Sequence, residues 1–223
     1  MKYKWILFDA DETLFSFNSY LGLSRVLKRY DIDFTKQDYE AFQAINKPLW
    51  IAYQNKEIQA QDIQTRRFEA LSKQTGQPAL QLNKELMNEM AKVSVPLPNV
   101  ESMLNHFYGK VKMGIVTNGF TQLQETRLTN TNTKHFFDLL VVSEEVGTPK
   151  PDVKIFDYTL SKIGKIDHSD VLMVGDTLAS DILGGYNAGF DTCWFNPHNH
   201  INDTQIKPTY EINDMLHLID IVK

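Results

Sequence analysis

Four short apolar runs recur along the chain, at residues 4–9, 111–117, 139–143 and 171–176, and each stops abruptly at a polar cluster. Runs of this length, bounded by turn residues, fit strands buried on both faces of a parallel sheet. Between the last three lie segments of helical period. One follows Pro151, with Ile155, Phe156 and Leu160 at helical spacing, and Pro is at home in a helix's first turn. Strand and helix therefore alternate from about Val100, which predicts a doubly wound, Rossmann-like α/β domain. A further strand is expected at residues 192–195 and a closing helix at 213–221.

The interval 16–93 has a different pattern. It holds no strand-like run but three apolar stripes at helical spacing: Leu23, Val26, Leu27 and Tyr30; Phe42, Ile45, Leu49 and Tyr53; Leu82, Leu86 and Met90. Pro96 and Pro98 then interrupt any helix, because proline disfavours helix at the residue before it. The expected organisation is an α/β core of residues 1–15 and 96–223, with an all-helical insert, 16–95, after the first strand. The insert's aromatics, Phe42, Trp50, Tyr53 and Phe68, read as its packing.

Composition narrows the function. The 223 residues are 42% hydrophobic and 23% charged, which fits a globular chain with a sizeable core and excludes disorder. A net charge of -5 offers no electrostatic footprint for nucleic acid or an anionic membrane. The lone Cys193 permits no intrachain disulfide, and its apolar neighbours make it a core residue. The apolar run near the start ends at Asp9, too short for a signal-peptide core, so a cytoplasmic location is expected. His198-Asn199-His200, beside Pro197, reads as a solvated loop.

Candidate chemistry gathers at the ends of the apolar runs. Asp9-Ala10-Asp11 follows the first, Thr117-Asn118-Gly119 the second, Lys150-Pro151 the third, and Gly175-Asp176 with Asp181 the fourth. Each alone is an ordinary turn or helix cap. Together they fall at the carboxyl ends of parallel strands, the edge at which open α/β sheets bind ligands. Four carboxylates and one lysine leave a negative excess that calls for a proton or a cation. All-oxygen donors without His or Cys select a hard ion, so Mg²⁺ is expected.

Asp-x-Asp-x-Thr, Thr-Asn, Lys-Pro and Gly-Asp-x-x-x-x-Asp, in this order, resemble the four motifs of the haloacid-dehalogenase-like phosphatase superfamily, over nearly the whole chain. In that superfamily a helical insert between the first two motifs is a type-one cap. At finer grain, residues 8–15 (FDADETLF), 45–50 (INKPLW), 143–147 (SEEVG) and 172–185 (LMVGDTLASDILGG) are similar to bacterial pyrimidine 5'-nucleotidases. Glu12 stands where glycine is frequent in the superfamily.

The resemblance implies a phosphoaspartate mechanism with Asp9 as nucleophile and Asp11 as acid/base. It implies phosphate binding by Thr117, by main-chain amides near Asn118 and Gly119, and by Lys150, with Mg²⁺ held by Asp9, the main-chain carbonyl of Asp11, and Asp176. Mn²⁺ or Co²⁺ would be substitutes, and Asp181 would orient the metal's ligands. It further implies a cap that opens and closes about residues 16–18 and 95–99.

The expected activity is Mg²⁺-dependent hydrolysis of a small-molecule phosphomonoester, with UMP, dUMP and dTMP favoured, and with no obligate protein partner. Sugar phosphates are the alternative leaving groups. A receiver-type phosphoaspartate switch is disfavoured by the insert and by an acceptor on the first strand. A haloacid dehalogenase is disfavoured by Asp11, because halide departs without an acid. A phosphosugar mutase is weakly disfavoured, and an idle binding protein is disfavoured because every residue the chemistry needs is present.

Overall fold

A computed structural model describes all residues, 1–223. The chain forms two compact units. One comprises Met1–Ser16, Val95–Gly119 and Thr131–Lys223; the other comprises Phe17–Ser94 and Phe120–Asn130.

The first unit is built on a six-stranded, all-parallel sheet. Its strands are β1 (Trp5–Phe8), β2 (Lys112–Thr117), β3 (Leu139–Val142), β4 (Val171–Gly175), β5 (Asp191–Phe195) and β6 (Tyr210–Ile212), in the order β3-β2-β1-β4-β5-β6. Successive side chains of a strand point to opposite faces. Leu7 packs with Val116, Val141, Val171 and Met173 on one face, where Ile155 and Phe156 of helix Val153–Ile163 cover them. Its neighbours Ile6 and Phe8 are equally buried. Burial on both faces is why the run is apolar without alternation.

The chain goes outward from β1 through β2 to β3 and then crosses back to β4 on the other side of β1. The order of connections thus reverses between β1 and β4, the position at which an open α/β sheet leaves a crevice outside its carboxyl ends. β1 and β4 run in register from Trp5 opposite Val171 to Phe8 opposite Val174, so Asp9 and Asp176 leave the same edge of the sheet.

The five expected strands are present, and β6 is an addition. The closing helix is short: a 3₁₀ turn at Met215–His217 runs into Leu218–Val222. Pro151 is not the first residue of its helix. Asp152 caps it, accepting from the Lys154 amide at 2.9 Å, and the first helical residue is Val153.

The second unit is all helical: Ser19–Lys28, Lys36–Gln54, Ala60–Arg66, Glu69–Thr75, Ala79–Val93 and Thr121–Asn130. Leu23, Val26, Leu27, Leu82, Leu86 and Met90 form its core with Phe42, Tyr53 and Phe68. Gly22 lets Ser19–Lys28 approach Ala79–Val93, since a Cβ there would press on Met90 and Leu86. Thr35 and Asp38 satisfy each other's amides in a capping box that starts Lys36–Gln54. The second stripe is only half inward: Phe42 and Tyr53 are buried, whereas Ile45 is exposed. Helix Thr121–Asn130, sequence-adjacent to β2, packs with this unit through Phe120 and Leu123. The sequence pattern had left it with 96–223, because periodicity shows that a helix has a face and not what covers it.

Candidate active site

All four polar clusters lie in the α/β unit, and its sheet explains their convergence. β1 ends at Phe8, and the Asp9 amide still donates to the Val174 carbonyl of β4 at 2.9 Å, which holds Asp9 beside the end of that strand. The chain then turns tightly: the amides of Leu14 and Phe15 both donate to the Ala10 carbonyl. Within that turn Glu12 has φ 57, the left-handed region that glycine enters without strain. A side chain there costs about 1 kcal/mol.

The Lys150 ammonium is the centre of the site. It lies 2.7 Å from Asp9 Oδ1, 2.7 Å from Asp181 Oδ1 and 2.6 Å from the Val116 carbonyl, so its three protons have three acceptors. Its side chain is 1% exposed. Burial alone would lower its pKa, but the charges of Asp181 and Asp9 outweigh burial and raise it, so Lys150 is a fixed cation.

Asp9, Asp176 and Asp181 place carboxylate oxygens within 4.8 Å of one another. Against one lysine they leave an excess of two negative charges when all are ionised. Burial, then the charges of Asp9 and Asp181, push Asp176 up to about 8. Burial likewise pushes Asp181 up to about 6, with Lys150 opposing it. A cluster this crowded with like charge has the composition of a hard-cation site: oxygen donors only, and too few positive charges of its own. Mg²⁺ therefore fits the residues present.

Several contacts aim these groups. The Thr13 hydroxyl donates to Asp176 Oδ1 at 3.2 Å and accepts from the Asp176 amide at 3.0 Å, and the Trp194 indole N–H donates to the Asp176 carbonyl at 2.8 Å. Asp181 accepts from the Thr177 amide at 3.0 Å and the Ser180 hydroxyl at 3.2 Å, within a π-helical turn at Leu178–Ile182. Gly175 is obligatory beside it, because a Cβ there would overlap the Asp181 carboxylate. Asn118 and Lys150 are tied both ways: the Lys150 amide donates to Asn118 Oδ1 at 2.7 Å, and Asn118 Nδ2 donates to the Lys150 carbonyl at 2.9 Å. The Asn118 carboxamide thus holds the backbone that carries Lys150. Thr117 is buried, and its hydroxyl accepts from the Gly119 amide at 3.2 Å.

Of the sequence-nominated residues, Asp9, Lys150, Asp176 and Asp181 form one cluster. Thr117 and Asn118 adjoin it through Val116 and through the Asn118 tie. Asp11 is half-buried in the turn after β1, paired through its backbone with Phe15, and its carboxylate is not one of the clustered three. Asp181, expected to orient from outside, is in the cluster itself. The roles of Thr13, Ser180 and Trp194 were not foreseen. Thr13 belonged to a recognised motif, whereas nothing in the pattern around Trp194 distinguishes it from a core aromatic. Cys193, next to it, is buried, and burial pushes its thiol up to about 12, which leaves it inert.

The family model of haloacid dehalogenase-like hydrolases matches residues 6–195. The chain belongs to this family. Among its relatives, the pyrimidine 5'-nucleotidase YjjG of Escherichia coli (strain K12) is 49% identical over 215 residues, covering 96% of each chain. The pyrimidine 5'-nucleotidase PynA of Streptococcus pneumoniae (strain ATCC BAA-255 / R6) is 32% identical, covering 99% of this chain and 95% of its own. The magnesium-bound crystal structure of the HAD-hydrolase YfnB from Bacillus subtilis superposes with a TM-score of 0.84 at 28% identity over 100% of both chains. In this haloacid dehalogenase-like hydrolase no helix is long and apolar enough to cross a membrane.

Proposed function

We propose that the protein is a magnesium-dependent phosphomonoesterase that hydrolyses nucleoside 5'-monophosphates, with pyrimidine nucleotides (UMP, dUMP and dTMP) preferred. The observation that carries the chemistry is Asp9, a carboxylate at the switch of the sheet, held 2.7 Å from a buried lysine and grouped with two further carboxylates. The choice of nucleotide is supported by the similarity over 96% of the chain to a pyrimidine 5'-nucleotidase.

In this reading an Asp9 oxygen attacks phosphorus, and the bond from phosphorus to the ester oxygen breaks. Asp11 gives the departing alkoxide its proton. Water then attacks the phosphorus of the aspartyl phosphate, Asp11 takes the water's proton, and the phosphorus–Asp9 bond breaks to release phosphate and restore the carboxylate. Lys150 neutralises charge on the phosphoryl oxygens while staying bound to Asp9 and Asp181. Thr117 and the main-chain amides at Asn118 and Gly119 hold those oxygens, with the Asn118 side chain fixing Lys150. Asp9, the Asp11 carbonyl and Asp176 would hold Mg²⁺, and Asp181 would orient them. When bound, the ion supplies Lewis-acid neutralisation of the phosphoryl group. Mn²⁺ and Co²⁺ are expected to substitute in a site of oxygen donors. A cytoplasmic location, a small-molecule substrate and no obligate protein partner belong to the same reading.

The test is phosphate release from a panel of nucleotides and sugar phosphates, with Mg²⁺ or chelator, by the wild type and by Asp9→Asn. Metal-dependent turnover of UMP, dUMP or dTMP above purine nucleotides and sugar phosphates, reduced at least about 10⁴-fold in Asp9→Asn, is expected. Turnover confined to sugar phosphates would keep the mechanism and refute the nucleotidase.

A further inference from the structure

Asp176 is held in the carboxylate cluster differently from its two neighbours. Asp9 and Asp181 are buried and share the Lys150 ammonium, whose third proton goes to the Val116 carbonyl. No proton of Lys150 is left for Asp176, which is only half-buried. Like charge from Asp9 and Asp181 drives this carboxylate outward, so something other than the lysine has to keep it within 4.8 Å of them.

The restraint acts on the backbone. Asp176 follows Gly175, the last residue of β4, so it lies beyond the strand that leads to it. Side chains carried on the β1 side and on β5 take its two peptide groups. The Thr13 hydroxyl, in the turn after β1, accepts from the Asp176 amide at 3.0 Å and donates to its carboxylate at 3.2 Å. On the other side the Trp194 indole N–H donates to the Asp176 carbonyl at 2.8 Å. Trp194 stands opposite Gly175 in the register of β4 and β5, so its ring reaches just one residue further along. A buried indole N–H ordinarily finds some acceptor, and packing alone would be served by any carbonyl. This one bonds the residue that the cluster repels, at the point where the strand stops supporting it.

We propose that Trp194 is a positioning residue for the metal ligand Asp176. Its N–H fixes the Asp176 peptide and so keeps the carboxylate in place before an ion arrives. The proposal rests on reading the cluster as a Mg²⁺ site. Trp194 acts on the ion through Asp176, and it adds no charge. Loss of the donor lets the Asp176 peptide turn and its carboxylate move away from Asp9 and Asp181, and binding must then reverse that movement. The consequence is weaker metal binding with the ligand set unchanged.

The test uses Trp194→Phe, which keeps an aromatic ring and removes the donor. A second variant carries benzothienylalanine at position 194 alone, where sulfur replaces the N–H in a ring of the same shape; it covers the case in which Trp194→Phe packs badly or does not fold. Mg²⁺ affinity is measured by calorimetry without substrate, stability by urea unfolding in chelator, and kcat and KM with p-nitrophenyl phosphate across a Mg²⁺ titration. The Mg²⁺ dissociation constant should rise about 10-fold in both variants, and saturating Mg²⁺ should restore kcat. In ¹H–¹⁵N spectra of the wild type, the Trp194 indole resonance should move on adding Mg²⁺ more than those of Trp5 and Trp50. An unchanged dissociation constant in the isosteric variant would leave Trp194 a packing residue and overturn the proposal, whatever happens to stability. A loss of kcat that saturating Mg²⁺ does not restore would overturn it as well. A wild type that binds no Mg²⁺ would refute the metal reading of the cluster itself, whereas equal binding by wild type and variants would refute the role of Trp194 alone.

Discussion

Replacing Lys150 by methionine keeps the aliphatic stem and removes the one cation among three carboxylates. Each lost attraction, at about 4 Å and an effective permittivity of about 20, is worth roughly 4 kcal/mol. Two carboxylates, Asp9 and Asp181, lose such a partner. Several kcal/mol return because the ammonium no longer has to be stripped of water, so the net loss of stability at neutral pH should be about 3–5 kcal/mol. The loss should depend on pH in a definite direction. Without Lys150, whose charge opposes the rise, the folded-state pKa of Asp176 and of Asp181 rises further above the unfolded value of about 3.9. A raised carboxylate pKa contributes stability that is present below the unfolded pKa and lost as pH rises through the folded one. The deficit against the wild type should therefore be small near pH 5 and widen towards pH 8, by up to about 1.4 kcal/mol per pH unit for each proton lost. Urea unfolding of both proteins at pH 5, 6.5 and 8 in chelator measures it. A deficit under about 1 kcal/mol, or one equal at pH 5 and 8, would refute this account of the cluster.

Mg²⁺ binding should displace the proton from Asp176, which burial and the charges of Asp9 and Asp181 push up to about 8. Affinity should thus rise about tenfold per unit from pH 6 to 8 and level off above, with about one proton released per ion in calorimetry across buffers of different ionisation enthalpy. A flat affinity over that range would mean that Asp176 is already ionised in the free protein. Gly175→Ala should cost about 1–3 kcal/mol, read by urea unfolding, because the added methyl displaces the Asp181 carboxylate. Phosphate release should fall with it, and an unchanged rate would separate Asp181 from catalysis.

The framework of the site was legible because parallel strands buried on both faces leave an unusual trace: apolar runs without alternation, each ending at the same edge. Asp9, Lys150, Asp176 and Asp181 could be nominated from that trace, since the edge follows once the strands are parallel. What the pattern could not carry was pairing between segments distant in sequence. The main-chain amides near Asn118 are the expected phosphate ligands, and nothing in the sequence shows that the Asn118 carboxamide closes on the Lys150 backbone, 32 residues away. Trp194 looks like any core aromatic until its indole is seen to reach the Asp176 carbonyl. Helix Thr121–Asn130 has too few apolar positions to declare a partner. Ile45 completes an apolar stripe and yet is exposed. Arg67 gave no signal at all, because the second member of an Arg66-Arg67 pair reads as surface, and only its burial shows otherwise.

These misses share a cause that bears on how the site works. Hydrophobic period reports which side chains leave water, whereas the functional groups here are polar groups that leave water in defiance of it. Lys150 and Arg67 illustrate two ways of being buried. Lys150 is compensated in full, by two carboxylates and a carbonyl, so its position is determined by the fold before any ligand arrives. Arg67 is compensated in part, by two amides and two rings, with its Nε–H unpartnered. A fully satisfied cation is a fixed electrostatic element, suited to a charge that develops in the same place for every substrate.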